Sequence, residues 1–398
     1  QYMLARIEPD GTFYSYFSST FLMIFALMAL GYPKTHPVIR KAVKGLISFG
    51  TEINGCLHIQ YTTSTVWNTA LINYALQEAG CSLDDPVVKK GNEYLLNRQH
   101  HLFGDWVLQS PRTSPGGWGF SHINTINPDV DDTSASLRSI FRAAGKNPLF
   151  HDAWVRGIRW LLSMQNKDGG WPAFEKNKDC YWLNWFPIEN GEYILADPAS
   201  ADLTGRTLEF LASYTKLPSE HPSIKRAVRS ILNKQERDGS WRGRWGICYI
   251  YGTWGAITGL CAAGIVPSHP SISKGISWLK RIQNEDGGWG ESCKSDQKNK
   301  YIPLGASTLT DTALALDALI AVEKKPTKEI RRGIKFLLGY LQGNGWTYNY
   351  PKGQGMAGAF YIHYHSYRYV FPLLALAHYK RKYITGKDLK EEENSFAE

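Results

Sequence analysis

The run Asp129-Val130-Asp131-Asp132 places three carboxyl groups within four residues. Carboxyl groups crowded in this way share a proton, because each negative charge raises the pKa of its neighbours. A carboxylic acid that stays protonated near neutral pH, and whose conjugate base is stabilised by nearby donors or cations, can protonate an isolated double bond. The cluster is therefore a candidate Brønsted acid for an alkene.

The same run also has the form of a helix start. Asn127 would be the N-cap, Pro128 would lie in the first turn, and the acids would lie beside the positive end of the helix dipole. An acidic helix cap without a catalytic role is therefore a second interpretation of these residues.

Two metal-binding interpretations of the cluster fail on spacing. A calcium loop that began at Asp129 would need glycine at its sixth position and glutamate at its twelfth, where the chain has Ser134 and Ile140. The pattern Asp-Asp-x-x-Asp, which holds magnesium for diphosphate departure in class I terpene synthases, has a different spacing. We therefore expect no metal at this cluster.

A pattern of helix, glutamine, glycine turn and tryptophan recurs along the chain. Apolar residues at helical spacing precede each glutamine, and a glycine turn precedes each tryptophan. The clear copies pair Gln165 with Trp171, Gln235 with Trp241 and Gln283 with Trp289, and weaker copies pair Gln99 with Trp106 and Gln342 with Trp346. We interpret these residues as mainly structural, since a glutamine at a helix end can bond unpaired backbone groups while the indole packs across the turn.

A second type of helix, with small residues and a threonine near its start, lies between the copies. Examples are Trp67–Leu71, Asp132–Ala135, Asp202–Gly205 and Asp311–Leu316. Alternating helices of two kinds predict a closed α/α toroid with an inner and an outer ring. Because strand signals are short and scattered, the predicted fold class is all-α, and we expect the chemistry on the inner helices.

Composition limits the other classes of function. The 398 residues are 43% hydrophobic, which is enough for a large core and for one large domain plus part of another. The aromatic share of 13% indicates either packing anchors or a cavity lined by ring faces. The six cysteines lack CxxC spacing, which favours reduced thiols in the cytosol.

Charge and hydropathy bear on nucleic acids and membranes. The net charge of +9 is spread along the chain, and the compact basic run Lys380-Arg381-Lys382 indicates either a solvated helix end or contact with an anionic membrane surface. Nucleic acid is a weaker interpretation. No window reaches the roughly 18 apolar residues of a membrane span. The longest apolar run, 21–30, predicts a buried helix, so a membrane would contact one face of the protein.

The acid motif and the repeated Gln/Trp motifs together resemble the class II triterpene cyclases, which include squalene–hopene cyclases and tetraprenyl-β-curcumene cyclases. The resemblance extends from Asp10 to Pro372. It implies a fold of two α/α barrels, a polyprenyl hydrocarbon as substrate, and no metal or other cofactor. It also implies a peripheral or monotopic enzyme on the cytoplasmic face of the cell membrane, which takes its substrate from the lipid, with a homodimer as one possible assembly.

The resemblance assigns roles to individual residues. Asp131 matches the family's central acid, Asp129 and Asp132 match its flanking carboxyl groups, and Tyr251 matches a tyrosine that orders water behind the acid. Positions that line the cavity in the family match Trp67, Phe120, Phe174, Trp245, Met356, Phe360, Tyr364 and Tyr367. Ring faces stabilise a migrating carbocation without trapping it.

Three departures from the squalene–hopene pattern favour one branch of the family. Arg206 stands where a histidine partners the acid, Phe174 where a tyrosine stands, and Met356 where a phenylalanine stands. An arginine can stabilise the conjugate base but cannot relay a proton. Fewer groups then support late ring closures, so we expect tetraprenyl-β-curcumene, which already has one ring, rather than squalene.

The resemblance also predicts the division of the chain. Residues 1–61 would be the C-terminal remnant of a second α/α barrel, residues 62–384 the catalytic α/α barrel, and residues 385–398 a charged tail. A large N-terminal portion would then be missing, and we expect these residues alone to be inactive or poorly folded.

Two other classes remain open. A toroid like the prenyltransferase β-subunit would need a zinc site of Asp, Cys and His residues. A non-catalytic isoprenoid-binding toroid would not need the acid cluster.

Overall fold

The computed structural model describes residues 1–385 except 54, 180–184, 186, 188–194, 342, 344, 356, 357 and 359. The chain begins with a 3-10 turn, Leu4–Arg6, followed by two helices, α1 (Phe17–Ala29) and α2 (Pro37–Ser48). A hairpin of β1 (Gly50–Ile53) and β2 (Cys56–Ile59) follows, with Gly50 opposite Ile59. These elements have a small core of their own, which includes Met23, Leu27 and Ile39.

The remainder of the described chain is built mainly from helices. In chain order they are α3 (Thr65–Glu78), α4 (Pro86–Leu96), α5 (Val130–Ala144), α6 (Pro148–Ser163), α7 (Ala201–Tyr214), α8 (Pro222–Asn233), α9 (Tyr249–Ala262), α10 (Pro270–Arg281), α11 (Lys294–Lys298), α12 (Leu309–Val322), α13 (Lys328–Tyr340) and α14 (Tyr367–Tyr379). Short helical turns lie at Asp105–Leu108, Trp346–Asn349 and Lys380–Thr385. The strands are β3 (Trp289–Glu291) with β4 (Pro303–Thr308), and β5 (Gly353–Gly355) with β6 (Phe360–Ile362), each pair antiparallel.

The inner helices close into a ring. Helix α3 packs on α5, α5 on α7, α7 on α9, α9 on α12, α12 on α14, and α14 returns to α3. The outer helices α4, α6, α8, α10 and α13 pack on α3, α5, α7, α9 and α12 respectively. This circuit agrees with the predicted α/α toroid, and the predominance of helix confirms the all-α class.

The glutamines of the repeat tie one outer helix to the next. Gln165 Nε2 donates to the carbonyl of Gly169 in its own turn at 2.8 Å and to the carbonyl of Ser223 in α8 at 2.8 Å. One glutamine side chain thus bonds the backbone of its own turn and the first turn of the next outer helix. The same pair of bonds is made by Gln99, Gln235 and Gln283.

The tryptophans of the repeat tie each outer helix to the next inner helix. Trp171 Nε1 donates to the carbonyl of Leu161 at 2.8 Å, and its backbone N–H donates to Thr204 Oγ1 at 3.0 Å. Thr204 lies in the first turn of α7, so the turn fixes where that inner helix begins. Equivalent bonds are made by Trp118, Trp241 and Trp289.

The predicted pairing of Gln99 with Trp106 is wrong. The indole that caps this outer helix belongs to Trp118, whose Nε1 donates to the carbonyl of Leu95 at 2.7 Å. Trp106 instead lies in the 3-10 turn Asp105–Leu108. A longer segment separates the glutamine from its tryptophan here, and sequence proximity selected the wrong indole. Gln342 of the last predicted copy lies outside the described residues.

The basic run near the C-terminus bonds mainly to the protein itself. Arg381 Nη1 donates to Glu78 at 2.6 Å, and Lys382 Nζ donates to the carbonyl of Ile320 at 2.6 Å and to that of Ala321 at 3.1 Å. Arg381 and Lys382 are therefore held by the protein itself, and contact of this run with a membrane stays a prediction. Among the described helices, none is long and apolar enough to cross a membrane.

Helices α7 and α9 approach closely through glycines. A Cβ on Gly205 would lie 2.1 Å from the carbonyl oxygen of Gly255, and a Cβ on Gly259 would lie 2.4 Å from that of Gly205. Only hydrogen at these positions permits backbone contact. The close approach fixes Arg206, the residue after Gly205, relative to α9.

Replacing Thr204 with valine should destabilise the fold. The change keeps the side-chain volume but leaves the buried N–H of Trp171 without its acceptor, which costs about 1–3 kcal/mol. Thermal unfolding should show a lower midpoint. Thr207 is a matched control on α7, because its buried Oγ1 has no hydrogen-bond partner among the described residues. Equal losses in Thr204→Val and Thr207→Val would contradict this role.

Replacing Gly205 with alanine should also destabilise the protein, because the obstructing atom belongs to backbone of α9 and cannot turn aside. We expect a loss of more than about 2 kcal/mol, the scale of an overpacked core. Chemical denaturation measures it. Gly339→Ala in α13 is the control, since no atom lies within 4 Å of its added Cβ. That variant should be neutral or slightly stabilised. An unchanged Gly205→Ala would show that the helices can separate.

Candidate active site

A cavity of about 340 Å³ lies where the inner helices begin. Trp67 from the first turn of α3, Asp131 from α5, Leu203 from α7, Tyr251 from α9 and Tyr367 from α14 all contribute to its wall. Loops that precede the same helices complete the wall. The positive ends of several helix dipoles therefore converge on this space, which favours negative charge there.

The acid cluster lies at the start of α5, but not with the predicted cap. Asp129, not Asn127, is the N-cap, and its Oδ1 accepts from the backbone N–H of Asp132 at 2.7 Å. Pro128 lies outside the helix, because the N–H of Asp129 donates to the carbonyl of Trp118 at 2.9 Å and holds this residue in an extended conformation. Capping accounts for Asp129 and leaves Asp131 free for another role.

Asp131 is paired with Arg206. Arg206 Nη1 lies 2.9 Å from Asp131 Oδ1 and 3.0 Å from Oδ2, and it donates to the hydroxyl of Tyr251 at 2.7 Å. The Arg206 side chain is 4% exposed and that of Asp131 is 15% exposed. The structure thus brings together the acid, the arginine and the tyrosine that the sequence assigned to one site.

The surroundings keep a proton in the cluster. Burial raises the pKa of Asp131 to about 7, although Arg206 acts to lower it, and Asp129 adds to the rise. Burial and then the charge of Asp129 raise the pKa of Asp132 well above its usual range, and burial also raises the pKa of Asp129. At neutral pH the cluster therefore holds fewer negative charges than carboxyl groups, as acid-first chemistry requires.

Aromatic rings form most of the remaining wall. The rings of Tyr364 and Tyr367 stack with their centroids 4.5 Å apart, and Tyr367 accepts a hydrogen bond from Trp67 Nε1 at 3.0 Å. Phe174 and Trp245 meet edge to face at 5.7 Å. All the predicted lining residues that the structure describes contribute to this cavity: Trp67, Phe120, Phe174, Trp245, Phe360, Tyr364 and Tyr367. Met356 lies outside the described residues.

Two carboxyl groups hold the backbone that carries aromatic residues of the wall. Asp197 accepts from the backbone N–H of Phe174 at 2.6 Å, and Asp202 Oδ2 accepts from that of Trp245 at 2.9 Å. Charge-assisted bonds of this kind fix the loops that carry the rings. No sequence motif had indicated a role for Asp197 or for the carboxylate of Asp202.

Tyr16 and Tyr61 of the N-terminal segment also line the cavity, and neither was predicted from the sequence. Tyr61 meets Phe360 edge to face at 4.6 Å. Tyr14 and Ser15, with φ of 54° and 65°, occupy the left-handed region just before Tyr16. Side chains rarely adopt this conformation, and it often marks a constrained functional segment. No sequence periodicity signals such a turn.

The zinc-binding alternative finds no support in the described part of the chain. There, no group of three or more His, Cys, Asp or Glu side chains has an arrangement that could hold a metal ion. The donor set is therefore unlike that of a zinc-dependent prenyltransferase.

Comparison with known proteins adds to this geometry. Residues 63–381 match the model of the squalene–hopene cyclase C-terminal domain, and residues 1–54 match that of the N-terminal domain. The division predicted near residue 61 remains a prediction.

Named relatives are longer than this chain. Sporulenol synthase from Bacillus subtilis is 48% identical over 378 residues, which cover 95% of this chain and 59% of that protein. Squalene–hopene cyclase from Zymomonas mobilis is 38% identical over 365 residues, or 88% of this chain and 55% of that protein. The chain thus spans just over half the length of these curated relatives.

The fold has relatives among solved structures. A type II terpene cyclase from Scytonema superposes with a TM-score of 0.55 at 14% identity, covering 92% of this chain and 98% of that one. At this identity the likeness concerns the fold alone. The matched family models and the sequence relatives show that the chain belongs to the squalene–hopene cyclase family.

Proposed function

We propose that the protein is a class II terpene cyclase, which starts a ring-forming cascade by protonating a terminal double bond of a polyprenyl hydrocarbon. The observation that carries the proposal is the position of Asp131. Its carboxyl group lines an aromatic cavity, and burial raises its pKa to about 7, so that a large fraction of it is protonated at neutral pH. A double bond held against this carboxyl group, with bulk water kept away, can accept the proton.

The reaction follows from the groups around the cavity. The proton of Asp131 adds to the terminal carbon–carbon double bond, whose π electrons form the new C–H bond and leave a tertiary carbocation. Each further double bond supplies the electron pair for the next ring, and the positive charge moves along the chain. Arg206 stabilises the carboxylate left on Asp131. Ring faces of Tyr364, Tyr367 and Trp67 stabilise the cation.

The cascade ends with loss of a proton or capture of water. We propose tetraprenyl-β-curcumene as the substrate and a polycyclic sesquarterpenoid such as sporulenol as the product. The identity of 48% with a sporulenol synthase supports this choice, as do Arg206 and Phe174 in place of the histidine and tyrosine of the squalene–hopene pattern. Squalene is the alternative substrate.

The site in the cell is also a proposal. Hydrocarbons of this size dissolve in membranes and not in water, so the enzyme is expected to collect its substrate at a lipid surface. We place it as a peripheral or monotopic protein on the cytoplasmic face of the cell membrane, with a homodimer as one possible assembly.

Product analysis tests the function. The full-length enzyme, supplied in parallel with tetraprenyl-β-curcumene and squalene in detergent, should convert the former faster into a cyclised product of equal mass or of that mass plus water. Asp131→Asn should lower the rate by about 10³-fold or more, the scale of a lost general acid. Asp168→Asn at a repeat turn, where an amide oxygen can still accept from Gly170, is the control. Unchanged cyclisation by Asp131→Asn would indicate a different acid, whereas binding without any cyclised product from the wild type would indicate an isoprenoid carrier.

The rate should depend on pH in one direction. The reactive form of Asp131 is protonated, so kcat/KM should fall as pH rises through about 7. Arg206 acts to lower this pKa, so Arg206→Gln should move the decline to higher pH while the maximum rate falls, because the acid becomes weaker. Cyclisation rates from pH 5 to 9 measure both effects. A decline that stays in place in Arg206→Gln would mean that another group controls it.

A further inference from the structure

Arg206 is held by more than its hydrogen bonds. Its guanidinium carbon lies 4.9 Å from the ring centroid of Trp67 and 5.6 Å from that of Trp254. Both distances are within the range of cation–π attraction. Trp67 lines the aromatic cavity, whereas Trp254 lines a separate cavity of about 30 Å³ together with Arg206. The orientation of Arg206 therefore depends on a ring that does not line the aromatic cavity.

Trp254 is itself anchored. Its Nε1 donates to Asp317 Oδ2 at 2.8 Å, and the other oxygen of Asp317 lies 2.6 Å from His378 Nδ1. Trp254 belongs to α9, Asp317 to α12 and His378 to α14. A buried indole N–H bonded to a carboxylate fixes the ring more firmly than packing alone.

The anchor carries fixed charges. Burial acts to lower the pKa of His378, but Asp317 and Glu78 raise it to about 10. Burial acts to raise the pKa of Glu78, yet His378 and Arg381 lower it to about 2. His378 also lowers the pKa of Asp317 against the effect of burial. The group thus keeps its charges across the pH range in which a cyclase would be assayed.

We propose that Trp254 is a positioning residue, held by Asp317 and His378, which orients Arg206 towards Asp131 and so controls the strength of the catalytic acid. The inference rests on the proposed cyclase function. It extends that function from the cavity to a contact chain that runs from Asp131 through Arg206 and Trp254 to the opposite inner helices.

Asp131 has several charged and titratable neighbours besides Arg206. The titratable and charged groups that act on it come from its own helix, from α7, from α9 and from the loop before α14: Asp129, Asp132, Arg138, Asp202, Arg206, Tyr251 and Tyr364. Trp254 contacts two of these groups: Arg206 by cation–π geometry, and the ring of Tyr251 edge to face at 5.3 Å. The Tyr251 hydroxyl accepts a hydrogen bond from Arg206, so loosening Trp254 should act on Asp131 through the Arg206–Tyr251 pair.

The test is the pH dependence of Trp254→Phe in the full-length enzyme. Phenylalanine keeps a ring face but loses the bond to Asp317, so Arg206 should become less well oriented. We expect kcat to fall about tenfold, KM to change little, and the decline of kcat/KM to move upward by roughly half a pH unit or more. Trp254→Leu, which removes the ring face as well, should shift it further.

Two further variants make the test specific. Trp289→Phe also removes a buried indole hydrogen bond, from Trp289 Nε1 to the carbonyl of Leu279 at 2.8 Å, in a turn that does not contact Arg206. It should lower thermal stability without moving the pH decline. Asp317→Asn should shift the decline in the same direction as Trp254→Phe, and the double variant should shift it no further than the larger single change, because both act through one contact.

The outcomes separate this inference from the proposed function. If the wild-type enzyme forms no cyclised product, the cyclase proposal fails. If the wild type cyclises its substrate but Trp254→Phe only lowers the rate equally at every pH, Trp254 is structural and the inference is overturned. A folded Trp254→Phe with wild-type kcat would overturn it as well.

Discussion

The ion pair between Asp131 and Arg206 joins two inner helices in a space from which most water is excluded. Removing two charges from water costs several kcal/mol for each ion, and their attraction offsets this cost only when the geometry is well held. The surrounding helices must therefore close tightly enough to keep the pair in place. The geometry of the site therefore depends on how tightly the ring of inner helices closes.

The Gln/Trp turns contribute to this closure. Each turn bonds the end of one outer helix to the start of the next and to the first turn of an inner helix, as Gln165, Trp171 and Thr204 illustrate. Inner helices whose starts are fixed in this way present their N-terminal ends to one cavity. Their dipoles then favour the carboxylate that remains after proton transfer.

The close contact of α7 and α9 also helps to fix the geometry of the site. Glycines at the crossing let the backbones touch, which brings Arg206 within bonding distance of Tyr251 and beside Trp254. An arginine in place of a histidine changes the chemistry of the acid's partner, since its charge is permanent. Because the charge of Arg206 does not change with pH, its effect on Asp131 depends on its orientation. The contacts around Arg206 fix that orientation.

The chemical groups and the local elements can be predicted from the sequence. The spacing of Asp129, Asp131 and Asp132, the recurring Gln and Trp, and the helical periodicity all depend on residues a few positions apart, and these led to the all-α class and to the acid. The matching motifs also led to Arg206 and to the aromatic lining. In the structure the acid cluster and the described aromatic residues line one cavity, and Arg206 is paired with Asp131.

The contacts between distant residues depend on the tertiary structure. Helix α5 begins after its N-cap Asp129, and not earlier, because the N–H of Asp129 bonds to the carbonyl of Trp118. Trp118, not Trp106, donates to the carbonyl of Leu95 at the end of α4. Tyr16 joins the cavity, and Trp254 meets Asp317, which lies 63 residues away. The pattern of side chains along a helix indicates which face is buried, but not which residues of other helices lie opposite that face. That choice is made when the ring closes and the packing of all its helices becomes compatible at once.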